Sequence, residues 1–150
     1  MNEAAVLKEL TRQTRNLVDG LAPKARKKLL SDVSRRLRKS TQQRMAKQIN
    51  PDGSKWEPRK RDSNGSIRSR AKMMTELRKV RRLKATAKQD RLSLGFYGSD
   101  ARIAHIHHRG LRDRPDPEGR EIVYPERQIL GITNEDSQMI EDMVLEHLTG

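Results

Sequence analysis

The chain has 150 residues, a length that suits one domain. Apolar residues make up 33% and charged residues 35%, whereas globular domains are typically about 45–50% apolar. We therefore expect a small core, and either disordered parts or burial that is completed against partners. The absence of cysteine excludes disulfides, thiol catalysis and cysteine-ligated zinc. No apolar run reaches signal-peptide or membrane-span length, so we expect a soluble protein.

The net charge of +13 is unevenly distributed along the chain. Residues 1–92 hold 27 Lys and Arg against 9 acids, a sum of +18, and residues 93–150 hold 6 against 11, a sum of −5. This asymmetry favours a basic half that faces nucleic acid or an acidic partner, or copies that pair head to tail. Solvated helix faces are the ordinary alternative.

Two helices are predicted at the beginning of the chain. Apolar residues near helical period indicate a first helix over residues 2–18, which Asp19 and Gly20 end. Pro23 suits the first turn of a second helix of about 25 residues. The apolar positions of this second helix recur every four residues and form one narrow stripe: Leu29, Val33, Leu37, Thr41, Met45 and Ile49.

The remaining surface of the second helix is dominated by Lys and Arg. A stripe this narrow suits a helix that packs on one side only. The exposed basic side is a candidate contact with the phosphates of DNA or with an acidic partner. The candidate contact residues are Arg35, Arg36, Arg38 and Lys39.

Turn residues 50–53 follow the second helix and precede Trp56, the only Trp of the chain. Trp56 is predicted to be either a buried anchor of this loop or the centre of a partner interface. Residues 59–71 are basic and polar and indicate a loop. A third helix is predicted over residues 73–83, with Met73, Leu77 and Val80 on one side.

The pattern changes to a period of two near residue 92, where Leu92, Leu94 and Phe96 predict a half-buried strand. Residues 98–100 suggest a turn, residues 103–108 a returning strand or a helix, residues 112–119 a loop and residues 121–124 a third strand. Thr133 and the acids after it open a final amphipathic helix.

The predicted fold class is α+β. It has N-terminal helices including one long basic helix, a small antiparallel sheet in residues 92–125, and a C-terminal amphipathic helix that covers the sheet. The whole chain, residues 1–150, forms one domain with a basic helical part, residues 1–91, and a sheet-plus-helix part, residues 92–150.

His105, His107 and His108 raise the question of a metal site, because imidazole is a common ligand. His105 and His107 would share one face of a strand, but no acid or fourth ligand lies at a recognisable spacing. Structural or interface histidines are therefore favoured, and no metal or cofactor is predicted. The chain has no nucleophile elbow, phosphate-binding loop or zinc-protease motif, so we expect no enzymatic activity.

Two segments of the chain resemble a known family. Residues 102–114 read RIAHIHHRGLRDR, and residues 124–133 read YPERQILGIT. Their order and spacing are similar to those of the phage virion morphogenesis family, the tail completion proteins of long contractile-tailed phages. In that family an RIA segment leads to a His, a Gly and a basic loop, and a YPAR-x-LLG segment then leads into an acidic-started helix.

The resemblance continues upstream and covers about residues 29–148. It includes the turn at residues 51–53 with Trp56 and Pro58, apolar positions in residues 74–83, and LGFYG at residues 94–98. The chain departs from the family pattern at His108 and Arg109, where the family has a Gln and an aromatic residue. It also departs at Glu126, where the family has a small residue.

The resemblance implies a structural virion protein that completes the head-proximal end of the tail, a tail terminator that enables head–tail joining. Its implied form is a homo-oligomeric, hexameric ring. The implied partners are the tail tube and the head or neck proteins, and assembly takes place in the host cytoplasm. The predicted interface residues are Trp56, His107, Arg112, Arg114 and Arg127.

Arg127 matches the arginine of the family's YPAR segment and is expected to form an intersubunit salt bridge, because arginine binds carboxylates with two parallel hydrogen bonds. An exposed arginine without a partner is the alternative. The competing function is non-specific DNA binding through the basic N-terminal half. The small number of aromatic residues and the lack of a recognised DNA-binding motif weigh against it.

Overall fold

The computed structural model describes residues 3–59 and 72–149. Within these residues the α+β class is confirmed, including the long basic helix and the C-terminal helix. The elements are, in chain order, α1 (Glu3–Asp19), α2 (Pro23–Ala46), β1 (Lys84–Ala87), β2 (Leu92–Gly95), α3 (Gly98–Arg109), β3 (Arg112–Asp113), β4 (Ile122–Val123) and α4 (Asn134–Thr149).

The chain divides into two compact units that alternate along the sequence. The first unit comprises Met1–Leu37, Ala85–Leu94 and Asn134–Gly150, and the second comprises Arg38–Lys84 and Gly95–Thr133. The single domain with a basic helical part and a sheet-plus-helix part divided at residue 91 remains a prediction.

The first unit is built around the apolar stripe of α2. Leu29, Val33 and Leu37 are buried together with Val144 of α4. Removing such apolar side chains from water is the main stabilising contribution to a small core. The residues that pack against this cluster are partly buried: Leu21, Leu92, Leu94, Met139, Ile140 and Met143. Residues of β2 and of the terminal helix thus pack against the same cluster, and the predicted covering of the sheet by that helix remains a prediction.

The second unit has a separate set of buried residues. The stripe of α2 continues into it through Thr41 and Met45, which are also buried. The other buried apolar side chains come from the loops, from α3 and from the segment before α4: Trp56, Leu77, Leu83, Ala104, Ile106 and Ile129. Loops thus supply much of this core.

The helix predicted over residues 73–83 is wrong, because this segment is a series of turns. Met74 has a φ of 60°, outside the helical region. The backbone N–H of Met73 donates to Gln48 Oε1 at 2.8 Å, and Gln48 Nε2 donates to the Met73 carbonyl at 3.0 Å. Leu77 and Leu83 are buried as their apolar character suggests, but Val80 is 55% exposed.

Residues 103–108 lie in α3, so the strand prediction is wrong and its helical alternative is correct. Residues 98–100 form the first turn of this helix rather than a separate turn. α3 ends at Arg109 and is capped by Gly110, which has a φ of 64°, and the N–H of Leu111 donates to the Ile106 carbonyl at 2.9 Å. Because successive helix residues are about 100° apart, His105 and His107 point in different directions.

The sheet differs from the single sheet predicted. The described strands form two separate two-stranded sheets, β1 with β2 and β3 with β4. The predicted strand at residues 121–124 is present as β4. It pairs antiparallel with β3, in a segment predicted to be a loop, and Arg112 lies opposite Val123. A pair of two-residue strands is too short to give a periodic sequence signal.

Candidate interaction surface

Residues 124–131 of the second unit, called the joint segment below, contain Arg127 and most of the second segment singled out in the sequence. The segment lies along the end of α3 and the beginning of the loop that follows it. The Arg127 N–H donates to the His107 carbonyl at 2.8 Å, and the Tyr124 N–H donates to the Leu111 carbonyl at 3.1 Å. On its other side the Gln128 N–H donates to Asn50 Oδ1 at 2.8 Å.

His108 holds the far end of the joint segment. Its Nδ1 accepts hydrogen bonds from the backbone N–H groups of Ile129 at 3.1 Å and Leu130 at 3.4 Å. Only a neutral imidazole with the proton on Nε2 leaves Nδ1 free to accept them. Burial, and then the positive charge of Arg109, lower the pKa of His108 below its ordinary value of 6.5. The geometry and the lowered pKa favour the same neutral form.

His107 packs against the beginning of the joint segment. Its ring meets the Tyr124 ring edge to face, with the centroids 4.6 Å apart. Burial, and then the charges of Arg127 and Arg59, lower the pKa of His107 below 6.5. Its buried Nδ1 has no hydrogen-bond partner among the described residues. The imidazole therefore acts here as a mostly apolar packing surface.

Arg127 is directed into its own chain. The side chain is 5% exposed, with Nε donating to the Glu57 carbonyl at 2.9 Å and one terminal nitrogen donating to the Pro58 carbonyl at 3.4 Å. Burial lowers the pKa of Arg127 below its ordinary value. In the single chain this residue ties the joint segment to the loop after Trp56, and its contact with a neighbouring subunit remains a prediction.

Trp56 is also buried in the second unit. Its indole is 4% exposed, and Nε1 donates to the Gln128 carbonyl at 3.2 Å. This is the arrangement that the anchor interpretation describes, because the loop at residue 56 is fixed to the joint segment. A role at a partner interface remains a prediction.

Arg44 is a residue of this region that sequence reasoning missed. It is 6% exposed. One guanidinium nitrogen donates to the carbonyls of Ile49 and Gln128 at 3.2 Å each, and the other donates to the Ile129 carbonyl. Nothing in the sequence distinguishes it from the other 32 Lys and Arg residues except its place beside Met45 in the apolar stripe.

Two glycines allow the joint segment to lie unusually close to other parts of the chain. A Cβ on Gly131 would lie 2.5 Å from Cγ of Pro51, and a Cβ on Gly110 would lie 2.8 Å from the Glu126 nitrogen. Both distances are shorter than any ordinary contact, so these positions need glycine for space. Position 110 also needs glycine because its φ is positive.

The other predicted interface residues lie at the surface. Arg112 and Arg114 are exposed, and Arg112 lies on β3 opposite Val123, which is 63% exposed. The structure therefore brings Trp56, His107 and Arg127 together around the joint segment. It places Arg112 and Arg114 on or beside the exposed hairpin of β3 and β4.

The basic residues singled out on α2 are accessible. Arg35, Arg36 and Lys39 are exposed, and Arg38 is half-buried. Arg35 donates to Asp32 and to Ser31 Oγ of its own helix, so part of its charge is locally neutralised. Arg36 and Lys39 form no ion pair within residues 3–59 and 72–149.

The described part of the chain contains no group of three or more His, Asp or Glu side chains arranged to hold a metal ion. It also contains no helix that combines the length and the apolar character needed to cross a membrane.

Comparisons with known proteins identify the family to which the chain belongs. The model of the phage virion morphogenesis family matches residues 5–149. The chain therefore belongs to this family and is a structural protein of virion assembly. Tail completion protein S of Escherichia phage P2 is 38% identical over 135 residues, which cover 88% of this chain and 90% of that protein. No solved structure matches the chain.

Proposed function

We propose that the protein completes the head-proximal end of the phage tail so that the tail joins a filled head. The observation that carries this proposal is the match to a protein named for tail completion, at 38% identity and across 88% of one chain and 90% of the other. Since nearly the whole length of both proteins is matched, the likeness concerns the complete domain rather than a shared fragment.

The protein acts, on this proposal, as a ring of identical subunits, six in the simplest case. Two features support a partner-bound state. The apolar fraction of 33% is low, and several large apolar side chains remain exposed, among them Val123 at 63% and Tyr97 at 58%. A ring interface would complete their burial. The ring contacts the tail tube on one side and the head or neck proteins on the other, and has no catalytic role.

The two groups of predicted interface residues have different roles in the proposed function. Arg112 and Arg114 are exposed and are available to a neighbouring subunit or a neck protein. Trp56, His107 and Arg127 are placed to shape the joint segment. Substitutions in the second group would then affect assembly through the shape of that segment.

The experiment is complementation in infected cells. A phage that lacks the gene is grown with and without the protein supplied from a plasmid, and the lysates are examined by electron microscopy. We expect filled heads and separate tails without the protein, and joined particles with it. Joined, infectious particles at normal yield without the protein would contradict the proposal.

Non-specific DNA contact is the second candidate, and the exposure of Arg36 and Lys39 on α2 favours it. Such binding would weaken steeply with salt and be independent of sequence. Reversing the charge of the candidate residues should then reduce binding to duplex DNA, as measured by fluorescence anisotropy at several salt concentrations. The residues reversed are Arg35, Arg36, Arg38 and Lys39. Salt-insensitive binding, or preference for one sequence, would contradict this candidate.

A further inference from the structure

The second unit carries a shallow groove between the end of α2 and the turns at residues 78–80. Lys39, Gln42 and Ala46 lie on one face of α2 at spacings of three and four residues, which are neighbours on a helix. The groove has a volume of about 500 Å³. Gln42 Nε2 donates to the Arg78 carbonyl at 2.7 Å and fixes the turns against the helix.

The groove combines an apolar surface with a basic rim. Ala46 and Val80 contribute the apolar part, and Val80 is 55% exposed. Lys39, Arg78 and Lys79 contribute the cations. Lys79 pairs with Glu76 at 2.8 Å, whereas the ion pairs of the described residues include neither Lys39 nor Arg78. Two positive charges are therefore available to an external acid.

The outward face of α4 has the opposite character. Glu141, Leu145 and Leu148 recur at spacings of four and three residues and so share one side of the helix, and Asp142 lies three residues before Leu145 beside them. Leu145 is 48% exposed and Leu148 is 40% exposed. Glu141 and Asp142 form no ion pair among the described residues. This face presents two leucines beside two carboxylates.

We propose that the groove of one copy binds the outward face of α4 from a second copy. Leu145 and Leu148 cover Val80 and Ala46, and Glu141 and Asp142 meet Lys39 and Arg78. Each copy donates one α4 and receives another, so the contact is heterologous, and it builds a ring where the rotation between copies closes. This inference rests on the proposed ring-forming function and names the surfaces that build the ring.

The chemistry of the groove favours a helix of this kind over DNA. Phosphate contacts need cations but make no use of an exposed valine. An amphipathic helix uses both the apolar surface and the charged rim when it lies in a groove. The chain itself offers a helix face with matching apolar and acidic residues.

The test is a charge exchange between the two surfaces. The groove-reversed variant carries Lys39→Glu and Arg78→Glu, and the helix-reversed variant carries Glu141→Lys and Asp142→Lys. We expect each variant alone to self-associate at least about tenfold more weakly than the unmodified protein, because like charges then face each other. A mixture of equal amounts should reassemble, since each contact again joins opposite charges. Sedimentation velocity and light scattering measure both results.

A third variant with all four changes in one chain should also reassemble. The matched control is Lys88→Glu with Arg91→Glu, which reverses one exposed lysine and one exposed arginine outside the groove and should leave assembly unchanged. Circular dichroism verifies that each variant is folded. Recovery in the mixture is the outcome that a merely destabilised fold does not produce.

Three results would overturn the inference. These are unchanged association of both variants, loss of association with no recovery in the mixture, and an unmodified protein that stays monomeric at every concentration tested. Loss of duplex DNA binding by the groove-reversed variant with unchanged association would assign the groove to DNA instead. Phage complementation by the unmodified protein separates these failures from a failure of the tail-completion proposal, because it tests joining directly.

Discussion

The core of the first unit and the joint segment of the second unit are held by different interactions. The first consists of apolar side chains such as Leu29, Val33 and Val144, which are 0%, 3% and 2% exposed. The second is fixed mainly by side chains that bond to the backbone, with Arg44 donating to three carbonyls and His108 accepting from two N–H groups. An apolar core tolerates small shifts of its side chains. The hydrogen bonds of the joint segment instead require defined positions of donor and acceptor, and a defined protonation state of His108.

The largest effect is expected in the first unit. Leu29→Ala removes a fully buried side chain from the centre of the apolar cluster. We expect it to lower the free energy of unfolding by about 2–5 kcal/mol, the range for such truncations in cores. Urea unfolding followed by circular dichroism measures the change. Lys27→Ala, at an exposed position of the same helix, is the control, and an equal loss in both variants would show that the stripe is not the core.

Arg44→Met tests the joint segment. The substitution keeps an apolar side chain of similar length but leaves the carbonyls of Ile49, Gln128 and Ile129 without this donor. We expect a loss of about 1.5–3 kcal/mol, the range for hydrogen bonds from a charged group. Arg36→Met removes an exposed guanidinium from the same helix and should change the free energy of unfolding little. If Arg44→Met proved as stable as Arg36→Met, the hydrogen bonds would not hold the joint.

Gly131→Ala tests the close approach of the joint segment to Pro51. The new Cβ would lie 2.5 Å from Cγ of a rigid proline ring. The backbone would have to move, at a cost of about 1–3 kcal/mol as for other overpacked sites. Gly95→Ala is the control, since nothing lies within 4 Å of a Cβ there. Equal thermal unfolding midpoints for the two variants would be inconsistent with the described contact.

The smallest expected effect is a pH dependence of the stability that the joint segment contributes through His108. The folded-state pKa of His108 is lowered below 6.5, so the unfolded chain binds the proton more readily. The stability from neutral His108 is fully present above about pH 6.5 and is lost as the pH falls below it. The charges nearby are Arg109, Arg44, Glu126 and His105, of which only Glu126 opposes the shift.

We therefore expect a lower urea midpoint at about pH 5.5 than at about pH 7.5. His108→Gln should reduce this difference, although His107, whose pKa is also lowered, contributes in the same direction. His105→Gln removes an exposed histidine that is only one of the smaller causes of the lowered pKa of His108, and it should preserve most of the difference. An equally large difference between the two midpoints in His108→Gln would show that His108 does not cause the pH dependence.

The two regions also differ in how far the sequence predicts them. The four-residue period of α2 predicted Leu29, Val33 and Leu37 as core residues, because a helix repeats its faces at that interval. The same rule failed at residues 73–83, where Gln48 bonds to the backbone of Met73 and the chain forms turns instead of a helix.

The joint segment was recognised only through its resemblance to a family, and its contacts were not predicted. Its anchors are residues such as Arg44 and Asn50, which act on carbonyls and N–H groups about 80 residues away in the chain. Such pairs leave no periodic pattern in a single sequence. The direction of Arg127 toward the Glu57 carbonyl likewise depends on how two loops meet.

The most direct test of the central claim is the position of the protein in the assembled tail. Electron cryomicroscopy of tails purified from cells that express a tagged copy would locate it. We predict density for several copies in a ring at the head-proximal end of completed tails, and nowhere else along the tube. Density at the opposite end of the tail, or none in tails that join heads normally, would contradict the proposed function.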